Sequence, residues 1–95
     1  MNKAEVLALL QADNPQAPLA SLEMYAGTFL DYQEAAGNVA ENGTIVAHPR
    51  TGAPIENPYF RIKVAAMKSL LAFKRIKSDR LWQQAEAQAA KDSPK

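Results

Sequence analysis

A turn-rich stretch in the middle of the chain separates two segments with helical periodicity. It reads Asn42-Gly43-Thr44-Ile45-Val46-Ala47-His48-Pro49-Arg50-Thr51-Gly52-Ala53-Pro54-Ile55-Glu56-Asn57-Pro58. Gly43 can adopt the left-handed backbone conformation that ends a helix, and Asn57 followed by Pro58 is typical of an N-cap and the first residue of the next helix. Two short β-branched stretches lie between these signals, around a turn that contains Gly52. They predict a small hairpin over residues 44–56, packed against helices because two strands alone are barely stable.

Helices are predicted on both sides of this hairpin. Residues 3–12 are rich in alanine and leucine and predict a short helix, which Asn14 and the following proline end. From Leu19 to about Glu41, apolar residues recur at intervals of three, four or seven positions, which keep them on one stripe and predict a longer helix. Gly27 and Gly37 fall inside it, where each costs about 1 kcal/mol relative to alanine. The close approach of a neighbouring helix would explain them.

The second half of the chain predicts two further helices. One begins at Pro58 and runs through about Lys77, and another, capped by Ser78 or Asp79, runs from Arg80 to about Ala90. The expected fold is therefore mainly α, a small helical domain of three to four helices with a short β-hairpin insert near residues 44–56. We expect a single domain over residues 1–95, with a tail frayed from about residue 91 to 95.

The helix that begins at Pro58 carries two apolar stripes. One comprises Phe60, Val64, Met67 and Leu71, and the other comprises Ile62, Ala66, Leu70 and Phe73. A surface helix needs only one apolar face, so two faces predict two partners, one of them in another subunit. The first stripe and Trp82 are the candidate oligomer interface, since tryptophan often anchors such contacts. The alternatives are that the first helix and the hairpin cover both faces within a monomer, and that Trp82 packs on its own domain.

Composition excludes several classes of function. The chain has 95 residues, no cysteine and one histidine, so disulfide scaffolds, thiolate metal sites and multi-histidine metal sites are excluded. Nucleotide-binding glycine loops, metalloprotease motifs and paired catalytic carboxylates are also missing from the sequence, and we expect no enzyme, catalytic residue, metal or cofactor. No apolar run is long enough to cross a membrane and the first residues do not resemble a signal peptide, so a cytoplasmic location is expected.

Charge is distributed unevenly along the chain. Residues 1–41 carry six acids and one base, whereas residues 58–80 carry seven bases and one acid. The bases are Arg61, Lys63, Lys68, Lys74, Arg75, Lys77 and Arg80, and we treat them as candidate DNA-binding residues. Three of them, Arg61, Lys68 and Arg75, are spaced seven apart and would form a line along one helix. The other interpretations are charge pairing between helices or subunits, for example with the acids Glu23, Asp31 and Glu34, and a solvated face without a role.

An ordered set of short motifs resembles one known family. They are Leu22-Glu23-Met24-Tyr25-Ala26 and Tyr32-Gln33-Glu34-Ala35, Asn42-Gly43-Thr44-Ile45-Val46, Gly52-Ala53-Pro54-Ile55, Asn57-Pro58-Tyr59-Phe60-Arg61-Ile62, Ala65-Ala66-Met67-Lys68-Ser69-Leu70 and Ser78-Asp79-Arg80-Leu81. In this order, over about residues 19–81, they resemble the core of phage terminase small subunits. In place of the family's usual Gly-Leu-Thr-Pro turn the chain has Arg75-Ile76-Lys77, which predicts a continuous exit from the long helix.

The resemblance implies a non-catalytic protein of phage or prophage DNA packaging. Such small subunits bind viral double-stranded DNA, assemble into oligomers and regulate the terminase large subunit, which holds the ATPase and nuclease. The expected partners are therefore copies of the same chain, the large subunit and duplex DNA, in the cytoplasm of the bacterial host and without a membrane. The alternative is an oligomeric protein-interaction module of prophage origin with no nucleic-acid role.

Overall fold

The structure is a computed structural model of the chain and describes residues 1–92. In chain order its elements are α1 (Lys3–Asp13), α2 (Leu19–Asn42), β1 (Ile45–Ala47), β2 (Pro54–Glu56), α3 (Pro58–Ala72) and α4 (Asp79–Asp92). Helices account for 69% of the described residues, so the mainly α class with a hairpin insert is confirmed. The first two helices begin and end within one or two residues of their predicted limits. Residues 93–95, where the frayed tail is expected, lie outside the described residues.

The chain forms two compact units. Unit 1 comprises Met1–Gly27 together with the described chain from Phe73 onward, and unit 2 comprises Thr28–Ala72. In unit 1, α1 packs against α4, and the buried core includes Val6, Leu10, Leu22 and Leu81. In unit 2, the buried core includes Phe29, Ala35, Ala66 and Leu70. The single domain expected over residues 1–95 stays a prediction.

The N-terminus of α1 is closed by a reciprocal cap. The Asn2 side chain accepts a hydrogen bond from the Glu5 N–H, and the Glu5 carboxylate accepts one from the Asn2 N–H, both at 2.9 Å. This capping box satisfies two amides that have no partner inside the helix.

Leu19, at the start of α2, is expected on the apolar stripe but is half exposed, whereas Leu22, Ala26 and Phe29 are buried.

The predicted hairpin and its flanking signals are confirmed. Gly43 has φ 88° and donates its N–H to the Val39 carbonyl at 2.8 Å, which ends α2. β1 and β2 pair antiparallel, with Val46 opposite Ile55 at the centre. In the turn, the His48 Nδ1 atom accepts hydrogen bonds from the N–H groups of Arg50 and Thr51, at 3.1 and 3.3 Å. His48 is therefore a turn residue.

Asn57 joins the end of α2 to the start of α3 inside unit 2. Its Oδ1 atom accepts a hydrogen bond from the Tyr59 N–H at 3.0 Å and so caps α3, as predicted. Its Nδ2 group donates to the Gly43 carbonyl at 2.9 Å and to Asn38 Oδ1 at 3.0 Å. The side chain is 2% exposed. One buried amide thus fixes the helix stop and the helix start that enclose the hairpin.

The predicted end of α3 is wrong. The helix stops at Ala72 and does not continue to Lys77, and α4 begins at Asp79 after a loop. In a continued helix the Lys77 N–H would bind the Phe73 carbonyl, but here it donates to Asn14 Oδ1 at 2.8 Å. The Phe73 ring meets the Tyr25 ring edge-on, with centroids 5.4 Å apart. Contacts distant in sequence therefore break the helix where the sequence has no stop signal.

The two helix-associated glycines Gly27 and Gly43 are expected to respond oppositely to alanine. A Cβ added at Gly27 would meet no described atom within 4 Å, so the neighbouring helix predicted there, and likewise at Gly37, is not part of the described chain. Gly27→Ala should stabilise the protein by about 0.5–1 kcal/mol through helix propensity. Gly43→Ala should destabilise it by about 1–2 kcal/mol because its φ is positive. Urea denaturation of both variants measures this, and a destabilising Gly27→Ala would show that another copy or partner covers the glycine.

Candidate nucleic-acid interface

The seven candidate DNA-binding residues divide between the two units. Arg61, Lys63 and Lys68 lie on α3 in unit 2. The others belong to unit 1, with Lys74, Arg75 and Lys77 in the loop after α3 and Arg80 in the first turn of α4. The expected line of Arg61, Lys68 and Arg75 along one helix is therefore wrong, because α3 ends before Arg75. All seven side chains are exposed except Lys63, which is half-buried.

Two of the arginines already have carboxylate partners. Arg61 donates to Glu56 at 2.7 Å in unit 2, and Arg80 lies 2.9 Å from Asp13 in unit 1. The hydrogen bond that Arg61 donates to Glu56, and then the negative charge of Glu56, raise the pKa of Arg61 above its usual value. Exposed ion pairs of this kind contribute only about 0–1 kcal/mol, so phosphate can compete for both guanidinium groups.

The other five candidate cations have no ion pair with residues 1–91, whose side chains the structure describes. This holds for Lys63 and Lys68 on α3 and for Lys74, Arg75 and Lys77 in the loop. Across the same range the α2 acids Glu23, Asp31 and Glu34 form no ion pair either. Among the seven candidate bases, an ion pair between two helices of this chain is therefore seen for Arg80 with Asp13, and the α2 acids take no part in one.

Residues 73–78 form a loop that we call the basic loop. Its three basic side chains, Lys74, Arg75 and Lys77, are exposed, whereas Phe73, Ile76 and Ser78 are half-buried. The loop thus presents only its charged side chains fully to solvent, and its other side chains pack on unit 1.

Asn14 holds the backbone of the basic loop from the end of α1. Its Oδ1 atom accepts a hydrogen bond from the Lys77 N–H at 2.8 Å, and its Nδ2 group donates to the Lys77 carbonyl at 2.8 Å and to the Leu10 carbonyl at 2.9 Å. The residue is 8% exposed. Sequence reasoning identified Asn14 only as a helix breaker, and no local signal reveals its partner 63 positions away.

A second group of contacts fixes the end of the basic loop. The Tyr25 hydroxyl lies 2.9 Å from Ser78 Oγ and accepts a hydrogen bond from Trp82 Nε1 at 3.0 Å. Tyr25 is 3% exposed and Trp82 is half-buried. The indole of Trp82, a candidate for the oligomer interface, therefore contacts its own unit. This arrangement matches the alternative in which Trp82 packs within its domain.

Unit 2 exposes an apolar surface on α3. Of the stripe predicted from Ile62, Ala66, Leu70 and Phe73, only Ala66 and Leu70 are buried, because Ile62 is 46% exposed and Phe73 is half-buried beyond the end of α3. The stripe of Phe60, Val64, Met67 and Leu71, which we call the α3 apolar face, is not buried. Phe60 and Val64 are half-buried, and Met67 and Leu71 are 41% and 71% exposed. A groove of about 310 Å³ runs beside it, lined by Glu56, Phe60, Arg61, Val64, Ala65 and Lys68. Isolated exposed apolar residues are common, but several adjacent ones indicate an interaction site.

Two further features of the described chain bear on its chemistry. In residues 1–92, histidine, aspartate and glutamate side chains do not gather in groups of three that could hold a metal ion. In the same range, no helix has both the length and the apolar character needed to span a membrane.

The comparisons with known proteins point to one family. A sequence model of the family described as phage terminase, small subunit, matches residues 4–75, about three quarters of the chain. No curated protein and no solved structure matches. The matched range includes α1, α2, the hairpin, α3 and the first half of the basic loop. The chain therefore belongs to the phage terminase small-subunit family.

Proposed function

We propose that this protein is a non-catalytic subunit of a phage or prophage DNA-packaging machine, which binds viral double-stranded DNA and regulates the terminase large subunit. Family membership over residues 4–75 carries the proposal, since it supports a role in phage DNA packaging. In this role the protein acts in the bacterial cytoplasm, as a homo-oligomer that contacts the large subunit. Its own contribution is binding and positioning, while ATP hydrolysis and DNA cleavage belong to the large subunit.

The unpaired cations support contact with the DNA backbone. Lys68, Lys74, Arg75 and Lys77 are exposed and form no ion pair with residues 1–91. Lysine and arginine on a surface neutralise phosphates and release counterions, which gives affinity without reading sequence. Binding by one subunit should therefore be weak, on the order of 10⁻⁴–10⁻⁶ M near physiological salt. Several subunits on one duplex would strengthen it by avidity.

A salt titration of duplex binding tests this proposal. The native protein should bind a labelled duplex at low salt, and the logarithm of its binding constant should fall by about 0.9 per phosphate contact for each tenfold rise in salt. Lys68→Glu with Arg75→Glu should weaken binding strongly and flatten the slope. A variant with Lys3→Glu and Lys91→Glu, which changes the net charge equally at positions outside the candidate set, should bind more nearly like the native protein.

One set of observations favours a second function, an oligomeric interaction module without a nucleic-acid role. The α3 apolar face is partly exposed, and the acids of α2 form no ion pair within residues 1–92, so both could meet another protein chain. Undetectable binding of native protein to duplex DNA at low salt would eliminate the DNA-binding proposal and leave this one. Loss of assembly without loss of DNA affinity in the Lys68→Glu, Arg75→Glu variant would instead assign these two cations to contacts between subunits.

A further inference from the structure

We propose that the basic loop is a preformed element for contact with DNA phosphates and that Asn14 is the positioning residue that holds it in shape. The inference rests on the proposed DNA-binding function and adds which cations make the contact and what orients them. It concerns unit 1 alone, because Asn14, Tyr25, the basic loop and Trp82 all belong to that unit.

The first step of the argument is the arrangement of the loop itself. Lys74, Arg75 and Lys77 occupy three of four consecutive positions, and all are exposed and without an ion pair to residues 1–91. The arginine nearest to them on α4, Arg80, differs because it pairs with Asp13 at 2.9 Å. Three free cations on a short segment form a compact positive surface that suits a phosphate backbone.

The second step is that the backbone beneath these cations is fixed. Asn14 binds both the N–H and the carbonyl of Lys77, at 2.8 Å each, so the peptide groups on either side of that residue are fixed. The Phe73 ring rests on Tyr25 at one end, and Ser78 bonds to the Tyr25 hydroxyl at the other. A segment already held in its binding conformation loses less conformational entropy when it binds, which raises affinity.

The third step concerns why the residue is a buried asparagine. The Asn14 side chain and the Asn14 backbone N–H both donate to the Leu10 carbonyl, the latter at 2.8 Å. These two bonds cap the end of α1 and do not involve the basic loop. The two bonds to Lys77 do something else, because they set the path of a loop that carries cations. A buried polar group adds little net stability over an apolar one but specifies one geometry. Asn14 therefore acts on DNA through Lys77, without touching it.

The experiment is a double-mutant cycle on the full chain with a labelled duplex, read out as the salt slope and the dissociation constant. Replacing Lys74, Arg75 and Lys77 with glutamine should reduce the magnitude of the log–log slope by about 2–3, near 0.9 for each lost contact. Asn14→Ala should also reduce the magnitude of this slope. Adding Asn14→Ala to the glutamine triple variant should change it little further, since the cations it positions are gone.

Lys68→Gln is the matched control, because Lys68 is an exposed and unpaired cation on α3, outside the loop. Its effect should add to that of Asn14→Ala without coupling. If Asn14→Ala is unfolded by circular dichroism at the assay temperature, the cycle is run with Tyr25→Phe, which removes only the hydroxyl that binds Ser78 and Trp82.

The outcomes separate this inference from the function on which it rests. No duplex binding by native protein at low salt overturns the proposed DNA-binding function. If DNA binding survives in the triple glutamine variant but is lost in Lys68→Gln, the DNA-binding function stands. The proposal that the basic loop contacts the DNA phosphates is then overturned. The positioning role is overturned if Asn14→Ala, or Tyr25→Phe in its place, weakens DNA binding as much in the triple glutamine variant as in the native chain. A residue with a purely structural role would have the same effect in both proteins.

Discussion

Replacing Asn57 with alanine is expected to destabilise the protein by roughly 2–4 kcal/mol, a large fraction of the stability of so small a chain. The substitution removes the cap of α3, which costs about 1 kcal/mol. It also leaves the Gly43 carbonyl and Asn38 Oδ1 without their donor in a site where Asn57 is 2% exposed. Both acceptors belong to half-buried residues, and the loss of a partner at a buried polar group costs about 1–3 kcal/mol. Urea denaturation followed by circular dichroism measures the change.

Two further variants separate the causes of this loss. Asn57→Asp keeps an oxygen to cap α3 but loses the Nδ2 donor, so its cost isolates the contacts to Gly43 and Asn38. Asn42→Ala is the matched control, since Asn42 is exposed and lines the same groove of about 570 Å³ as Asn57. It should shift stability by no more than about 0.5 kcal/mol. Equal effects of Asn57→Ala and Asn42→Ala would contradict the central role of Asn57.

The parts of the fold that the sequence predicted well are those with local causes. Gly43 ends α2 through its own backbone angle and a bond four residues back, and Asn57 starts α3 through a bond two residues ahead. The interactions that decide these boundaries lie within a few positions, so the residue types reveal them. The same holds for the turn at His48 and Gly52, where every bond spans five residues or fewer.

The missed features have distant causes. The segment from Phe73 to Lys77 contains neither glycine nor proline, and its break follows from Asn14 and Tyr25, which lie about 50–60 positions earlier. A prediction that misses the end of α3 at Ala72 places Arg75 on that helix, and Arg61, Lys68 and Arg75 then form one line along it. Residue composition identified a basic segment, but its division between α3 and the basic loop depends on tertiary contacts.

Replacing Met67 and Leu71 with glutamate is expected to abolish self-association while leaving unit 2 folded. Both residues are exposed, at 41% and 71%, whereas the core of unit 2 is built from other residues of α3, Ala66 and Leu70, so the substitutions should leave that core in place. Glutamate is also a good helix former. In an interface through the α3 apolar face, each substitution would remove apolar contact and bury a charge, at several kcal/mol apiece. The dissociation constant of the oligomer should rise by roughly 100-fold or more, since 1.4 kcal/mol corresponds to a factor of ten.

The measurement is molar mass by light scattering at two salt concentrations, with Met24→Glu as the matched control. Met24 is 63% exposed but lies on α2 in unit 1, so its change should leave the mass of the oligomer unaltered. An oligomer held by the α3 apolar face keeps its mass at high salt, whereas one held by α2 acids and a neighbour's bases dissociates there. A native chain that is monomeric at high concentration, or a Met24→Glu variant that dissociates like the double variant, would contradict the interface. Because Met67 and Leu71 flank Lys68 on α3, DNA binding measured on the monomeric variant then shows how much of the affinity comes from assembly.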